Sequence, residues 1–422
     1  MQRRTFLLGT TALVAGTAFL LRPRDDGGPY PPYFAQLNAV LRAQGPGRPV
    51  LVIDRARLLA NCAKVKASLA PGKAFRVVAK SLPSLPLLQE VMAQMGTQRL
   101  MVFHQPHLNV LAEALPESDL LLGKPMPVAA AATFYRTLKH GAFDPARQLQ
   151  WLIDSHARLQ EYLQLAQQLG TKLRINIEID VGLHRGGLRS PDELKPLLEL
   201  IDANAAHLEF AGFMGYDAHV GKIPAVIESR EKSFARACDA YRAMQDALFA
   251  LRPAWRERAL CFNGAGSPTL RLHDDKSPVN EIAAGSCLVK PTDFDLGLLA
   301  DLEPAAFIAA PVLKALDGTT IPGLDGGSRA LGWWNPNQQR SYFIYGGLWQ
   351  AQYVSPPGLF DSGLYGKSSN QAIVTSSRRV PLAVNDHIFL RPTQSERVLL
   401  EFGDLAVLDG GHIAAWWPVL PA

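Results

Sequence analysis

From residue 49 to about residue 300, short apolar runs alternate with stretches of helical periodicity, and this rhythm restricts the fold more than any other feature of the chain. The apolar runs lie at 49–54, 75–79, 100–103, 119–122, 149–153, 173–179, 208–214 and 259–262. They are too short for helices and read as strands buried on both faces. Helical patterns fill the gaps, among them 85–95, 155–169, 191–204 and 229–250. Repeated strand–helix units predict a parallel sheet covered by helices. About eight such units fit a (β/α)8 barrel, placed at 49–300, better than a doubly wound sheet. Neither G-x-G-x-x-G nor G-x-x-x-x-G-K-[ST] occurs, which removes the usual phosphate-loop argument for the open sheet.

Near residue 300 the texture changes. Gly, Pro and Ser then separate short strand-like runs at 305–312, 341–345, 371–374, 387–390, 398–402 and 413–417, with no helical pattern of a dozen residues. This predicts a C-terminal all-β domain over 301–422. The fold class expected is therefore α/β, a (β/α)8 barrel followed by a β domain. At the other end, Gln2-Arg3-Arg4-Thr5-Phe6-Leu7 precedes an uncharged stretch that runs to Leu21. A basic start, an apolar middle and small residues near Gly16 read as an export signal over 1–22, and the paired arginines resemble a twin-arginine signal. Residues 23–48 then form a leader and entry segment. The expected location is periplasmic, with no stable membrane association once the signal is removed. A net charge of +5 without a basic run gives no support to nucleic-acid binding. The four cysteines, Cys62, Cys238, Cys261 and Cys287, are far apart and form neither a C-x-x-C motif nor a disulfide framework.

Strand ends carry the chemistry. In a (β/α)8 barrel, side chains at the C-terminal ends of the strands face the active site. Lys80 closes the run 75–79; there a lysine amine can form a Schiff base, or the residue can simply snorkel at a loop entry. Asp180-Val181-Gly182-Leu183-His184-Arg185-Gly186-Gly187 is a glycine-rich loop after another strand, and Arg185 there is either an anion holder or a solvated turn residue. Tyr216 and His219 follow the run 208–214 and are candidate proton carriers. Two small-residue turns, Asn263-Gly264-Ala265-Gly266-Ser267 and Ala284-Gly285-Ser286, suit an anion at late strand ends, the usual phosphate position in such barrels. Gly264, Gly266, Gly285 and Ser286 are the candidate contacts.

Val77-Val78-Ala79-Lys80, the Asp180–Gly187 loop, the late glycine turn and Glu281-Ile282-Ala283-Ala284-Gly285-Ser286 together resemble the fold-type III pyridoxal-phosphate enzymes. The overall order is most similar to the D-threonine aldolase and D-serine dehydratase branch of the alanine racemase superfamily. The strand at 49–54 followed by Asn61 resembles that branch's opening, and Leu324-Asp325-Gly326-Gly327-Ser328-Arg329-Ala330-Leu331 resembles a segment of its β domain. The resemblance runs from about residue 35 to the C-terminus.

It implies pyridoxal 5′-phosphate as cofactor, carried on Lys80 as a Schiff base. Arg185 would bind the phenolic oxygen, while Gly264, Gly266, Gly285 and Ser286 would contact the phosphate. Tyr216 and His219 would lie near the substrate or ring. It also implies a homodimer acting on an amino acid, expected to be of D configuration, by lyase, aldolase or deaminase chemistry at the α- or β-carbon. The branch carries a metal-binding His-x-Cys or His-x-Asp pair after a proline. In Leu390-Arg391-Pro392-Thr393-Gln394-Ser395-Glu396 the corresponding positions read Thr393 and Ser395, whose hydroxyls are poor ligands, so no metal site is expected. A metal-independent racemase fits that loss; a non-catalytic binding protein or a sugar-active barrel using Asp180 and Asp217 are the readings from other classes.

Overall fold

The computed structural model describes residues 22–139, 141–224, 226–320, 323 and 327–421. The first strand, β1 (Val50–Asp54), is followed by eight strands that close into a parallel barrel. These are β2 (Ala74–Val78), β3 (Arg99–Val102), β4 (Asp119–Leu122), β5 (Leu149–Ile153), β6 (Leu173–Glu178), β7 (Leu208–Gly215), β8 (Cys261–Gly264) and β9 (Glu281–Ala284). Each pairs with the next in parallel, and β9 closes on β2 through Val77 opposite Ala284. Helices connect them, with boundaries set by local chemistry. Ser155 and Ser229 accept amide hydrogen bonds at two helix starts; Gly170 ends the first of these helices, and Gly96 ends another, both in the left-handed conformation.

Inside the barrel, apolar layers give way to a polar one. Arg76 on β2 and Glu281 on β9 are both fully buried and paired at 2.5 Å. Arg76 also bonds Asp119, and Glu281 takes further bonds from Arg99, Asn263 and Cys261. A buried carboxylate tolerates its site only when it is so compensated.

The remaining strands are β10 (Ala306–Asp317), β11 (Arg340–Tyr345), β12 (Ala351–Ser355), β13 (Phe360–Asp361), β14 (Gln371–Ser376), β15 (His387–Pro392), β16 (Leu405–Asp409) and β17 (His412–Trp417). They form one sheet in the order β13-β14-β11-β10-β1-β16-β17, with β15 pairing β10 and β12. The helix Pro32–Gln44 lays Leu37 and Leu41 onto Val50, Val52, Ala309, Phe389 and Ala406, a compact apolar core.

Two compact units result. Among the described residues, one contains those up to Val52 with Ala306–Thr393 and Ala406–Trp416; the other contains Ile53–Ala305, Gln394–Leu405 and those from Trp417 onward. The architecture is the expected barrel plus β domain, with local differences. The run at 49–54 joins the β sheet as β1 and is not a barrel strand. The run at 398–402, expected as a strand, is a 3₁₀ turn over Val398–Leu400. Strands β12, β13 and β16 and a short helix, Gly327–Trp334, were not anticipated. Among the described residues no helix is long and apolar enough to cross a membrane. The export signal, apart from Arg22, and residues 324–326 of the segment resembling the β domain lie outside the described residues.

Candidate active site

β2 runs directly into a 3₁₀ turn, Ala79–Ser81, so Lys80 leaves the sheet at the C-terminal end of its strand. Its Nζ lies 2.7 Å from Glu396 Oε1 and 4.5 Å from the centroid of Phe103. About two-fifths of each charged side chain is exposed, so the pair adds little stability. Its consequence is chemical: a carboxylate stands beside the amine.

Both groups border a cavity of ≈ 390 Å³, whose lining includes Arg185, Tyr216, Gly266, Gly285 and Ser286. Every lining residue belongs to the barrel unit. Arg185 projects from the loop after β6. Asp180 builds that loop: its carboxylate accepts the amides of Gly182 and His184, both at 2.9 Å, and meets His184 Nδ1 at 2.8 Å. Burial works against the Asp180 carboxylate, yet these bonds hold it below its usual range. Gly182, at φ 114°, supplies a backbone conformation that other residues resist. His184 therefore serves the loop and faces solvent, whereas Arg185 lies over the Tyr216 ring, 5.0 Å from its centroid. Burial pushes the Tyr216 hydroxyl up, so the tyrosine stays a neutral donor.

The two small-residue turns meet the other elements at backbone distance. A Cβ on Gly266 would stand 2.6 Å from Tyr216 Cε2, and one on Gly285 would stand 2.8 Å from the Val78 carbonyl oxygen. Glycine at both points lets the turns close on Tyr216 and on the strand that delivers Lys80. Ala265, between Gly264 and Gly266 in the first turn, is a non-glycine residue at φ 67°, a strained conformation of the kind found at functional sites. Among the described residues, the backbone amides of Ala265, Ser267 and Ser286 have no internal acceptor, although all three residues are buried. Unpaired buried amides are rare, and a cluster of them is an anion site in waiting. The Cys287 amide is instead taken by Ser267 Oγ, and Ser286 Oγ bonds Ser81.

The structure thus brings Lys80, Arg185, Tyr216, Gly266, Gly285 and Ser286 to one cavity. Gly264 and His219 are not among its lining. Gly264 closes β8 against Val279, and the His219 ring packs beneath the glycine-rich loop, where a Cβ on Gly182 would be 2.9 Å from Nε2. His219 Nδ1 is buried without a partner, and desolvation lowers the ring's pKa, so it is a neutral packing group.

The C-terminal segment departs from the sequence reading. Thr393 Oγ1 donates to the Gln350 carbonyl, and Ser395 Oγ is buried against Ser286 Oγ. Gln394 and Glu396 are the residues that reach the cavity, with Gln394 bonded to Asp293. Sequence reasoning also missed Phe103 and Ser267. Both had a signal, since Phe103 closes its strand run as Lys80 follows its own, and Ser267 ends the recognised turn. Among the described residues no group of three His, Cys, Asp or Glu side chains is disposed to hold a metal.

The family described as alanine racemase, N-terminal domain, matches residues 53–293. A comparison with curated protein sequences finds no match. Among solved structures, D-threonine aldolase from Filomicrobium marinum superposes with a TM-score of 0.67 at 18% identity, covering 88% of this chain and 94% of that one. D-threo-3-hydroxyaspartate dehydratase from Delftia sp. HT23 gives 0.64 at 17% identity, covering 89% and 97%. Alanine racemase from Bacillus anthracis gives 0.62 at 14% identity, covering 88% and 97%. At these identities the similarity is one of fold.

Proposed function

The chain belongs to the alanine racemase N-terminal domain family of pyridoxal 5′-phosphate enzymes, and from that premise we propose that it is a lyase acting on a β-hydroxy D-amino acid. The observation that carries the reading is the Lys80–Glu396 contact at 2.7 Å, an amine and a carboxylate together in one cavity. The residues present fit the cofactor. Lys80 would hold it covalently, Arg185 would face its phenolic oxygen, and the amides of Ala265, Ser267 and Ser286 would take its phosphate. When bound, pyridoxal 5′-phosphate supplies the electron sink that makes bonds at the substrate's α-carbon breakable.

The chain's own groups then choose the bond. Lys80 moves the proton at the α-carbon, and Glu396 exchanges a proton with the β-hydroxyl. A hydroxyl that accepts a proton leaves as water; one that gives up its proton allows the Cα–Cβ bond to cleave, releasing an aldehyde. Tyr216 stays neutral and supports Arg185 through its ring face. In the aldolase and dehydratase branch a metal handles the β-hydroxyl. Gln394 and Glu396 do not fit that metal, for they lack the imidazole or thiolate that zinc selects, and one amide and one carboxylate are too few oxygen donors to hold a harder ion tightly. D configuration is supported by the names of the aldolase and the dehydratase with similar folds. Export to the periplasm and assembly as a homodimer belong to the same proposal; the first is supported by Arg3-Arg4 and the apolar stretch to Leu21.

Two measurements test it. Borohydride reduction of the purified enzyme followed by peptide mass spectrometry should leave a pyridoxyl group on Lys80; an adduct on another lysine removes the premise about the site. A panel of β-hydroxy D-amino acids should then yield an aldehyde or ammonia, with turnover at least 100-fold lower in Glu396→Gln. Racemisation of the panel without either product would replace the lyase with a racemase.

A further inference from the structure

Behind the glycine turn lies a chain of buried polar side chains that the reaction above leaves unused. The Gly266 amide donates to Thr269 Oγ1 at 3.1 Å, and Thr269 Oγ1 donates to Asp217 Oδ1 at 2.6 Å. Asp217 Oδ2 meets His273 Nε2 at 2.8 Å, and His273 Nδ1 meets Ser277 Oγ at 2.9 Å. All four side-chain bearers are buried, Thr269 completely and Asp217 to within 2%. The directions of the bonds are largely fixed. Gly266 N–H can only donate, so the Thr269 hydroxyl hydrogen goes to Asp217, and the carboxylate requires a proton on His273 Nε2.

Ser277, His273 and Asp217 have the connectivity of a hydrolytic triad, but the surroundings deny that use. The neighbouring space, lined by Asp217 and His273, amounts to ≈ 10 Å³, room for no more than a water molecule. Phe234 closes on the imidazole edge at 4.9 Å between centroids. No substrate reaches the serine. What the chain does reach is Gly266, whose carbonyl also accepts the amides of Thr269 and Leu270 at 3.0 and 2.9 Å. The bond to Thr269 withdraws the Gly266 amide from the cavity and leaves those of Ala265 and Ser267, on either side, unpaired.

We propose that Thr269, Asp217 and His273 are positioning residues for cofactor phosphate: they clamp the Gly264–Ser267 turn in the strained form that presents its free amides. The proposal rests on the reading that this turn takes the phosphate. Flexible turns make poor anion sites because each amide must be ordered on binding; a clamp supplies that order beforehand.

The test compares pyridoxal 5′-phosphate with pyridoxal, which lacks the phosphate, by titrating full-length enzyme stripped of cofactor with hydroxylamine. Thr269→Val keeps shape but loses the hydroxyl, Thr269→Ser keeps the hydroxyl, and His273→Phe keeps an aromatic ring; thermal unfolding checks that each variant folds. Wild type should prefer the phosphorylated form strongly. Thr269→Val and His273→Phe should lower that preference at least tenfold while pyridoxal affinity stays within twofold, and Thr269→Ser should retain it. A preference unchanged in Thr269→Val or in His273→Phe overturns the clamp, as does an equal loss in Thr269→Ser. A wild type that does not discriminate overturns the phosphate reading itself, and the clamp with it.

Discussion

Arg185 is an invariable cation in the cavity, and its surroundings show what it must do. Burial raises the Glu178 carboxyl, with Arg185 as the opposing influence, and Tyr216 lies under the guanidinium. A charge-assisted bond to the cofactor contributes about 1.5–3 kcal/mol, which is tenfold or more in affinity. Arg185→Ala should therefore weaken pyridoxal 5′-phosphate binding at least tenfold. Arg189→Ala is the comparison: Arg189 lies beyond the loop, its amide turned to Glu193, and its variant should bind as wild type does. Equal affinities by fluorescence titration would remove Arg185 from the site. The donor set at Gln394 and Glu396 leads to a second outcome. Turnover should survive prolonged incubation with EDTA, because neither residue offers the nitrogen or sulfur that holds zinc tightly, and one carboxylate with one amide oxygen is too small a donor set to hold manganese against a chelator. Activity lost on chelation and restored by an added ion would show a metal bound by other means.

At the scale of elements, the barrel is held by a polar layer as well as an apolar one. Burial opposes ionisation of Glu281, but Arg76 and Arg99 hold its carboxyl well below the usual range. A depressed carboxyl adds stability above its unfolded value near 4.5, and that contribution fades as pH falls below it. Arg76→Met leaves the buried carboxylate with only Arg99, Asn263 and Cys261 and should cost about 3 kcal/mol at neutral pH, whereas Arg76→Met with Glu281→Leu should recover much of it. Chemical denaturation of both variants measures the difference. These strands were legible in the sequence because alternating strand–helix periods leave few folds open. The run at 49–54 was not, since a strand buried on both faces looks the same in a barrel and in a central sheet position. Residues 398–402 show the ambiguity of any short apolar run. The C-terminal segment was illegible for another reason: beyond β15 the chain leaves the sheet in bends and a turn over 393–396, where no strand period says which side chains face the cavity. Thr393 and Ser395 were the positions singled out in the sequence, whereas Gln394 and Glu396 line the cavity. Lys80, Arg185, Tyr216 and the two turns were legible because barrel strand ends converge by topology.

At the scale of the molecule, the β unit carries apolar surface that water does not favour. Trp333 is 73% exposed, Leu348 59%, Leu364 54% and Leu316 47%, all on or between strands of the β10-β11-β14-β13 stretch or its connections. Single exposed apolar residues are ordinary, but four large ones on β10 and on the helix and loops that follow these strands supply the apolar area a contact surface needs. A second copy of the chain is the partner proposed here, because identical surfaces pair through a twofold axis without any other protein. Sedimentation velocity at micromolar concentration should give twice the 46.0 kDa chain mass. Trp333→Ser combined with Leu348→Ser replaces two apolar contacts by hydroxyls. It should shift the protein to the monomer while its thermal unfolding temperature, measured at high dilution where wild type is also dissociated, stays the same. A wild-type monomer, or a dimer indifferent to both substitutions, would mean that this surface serves something else.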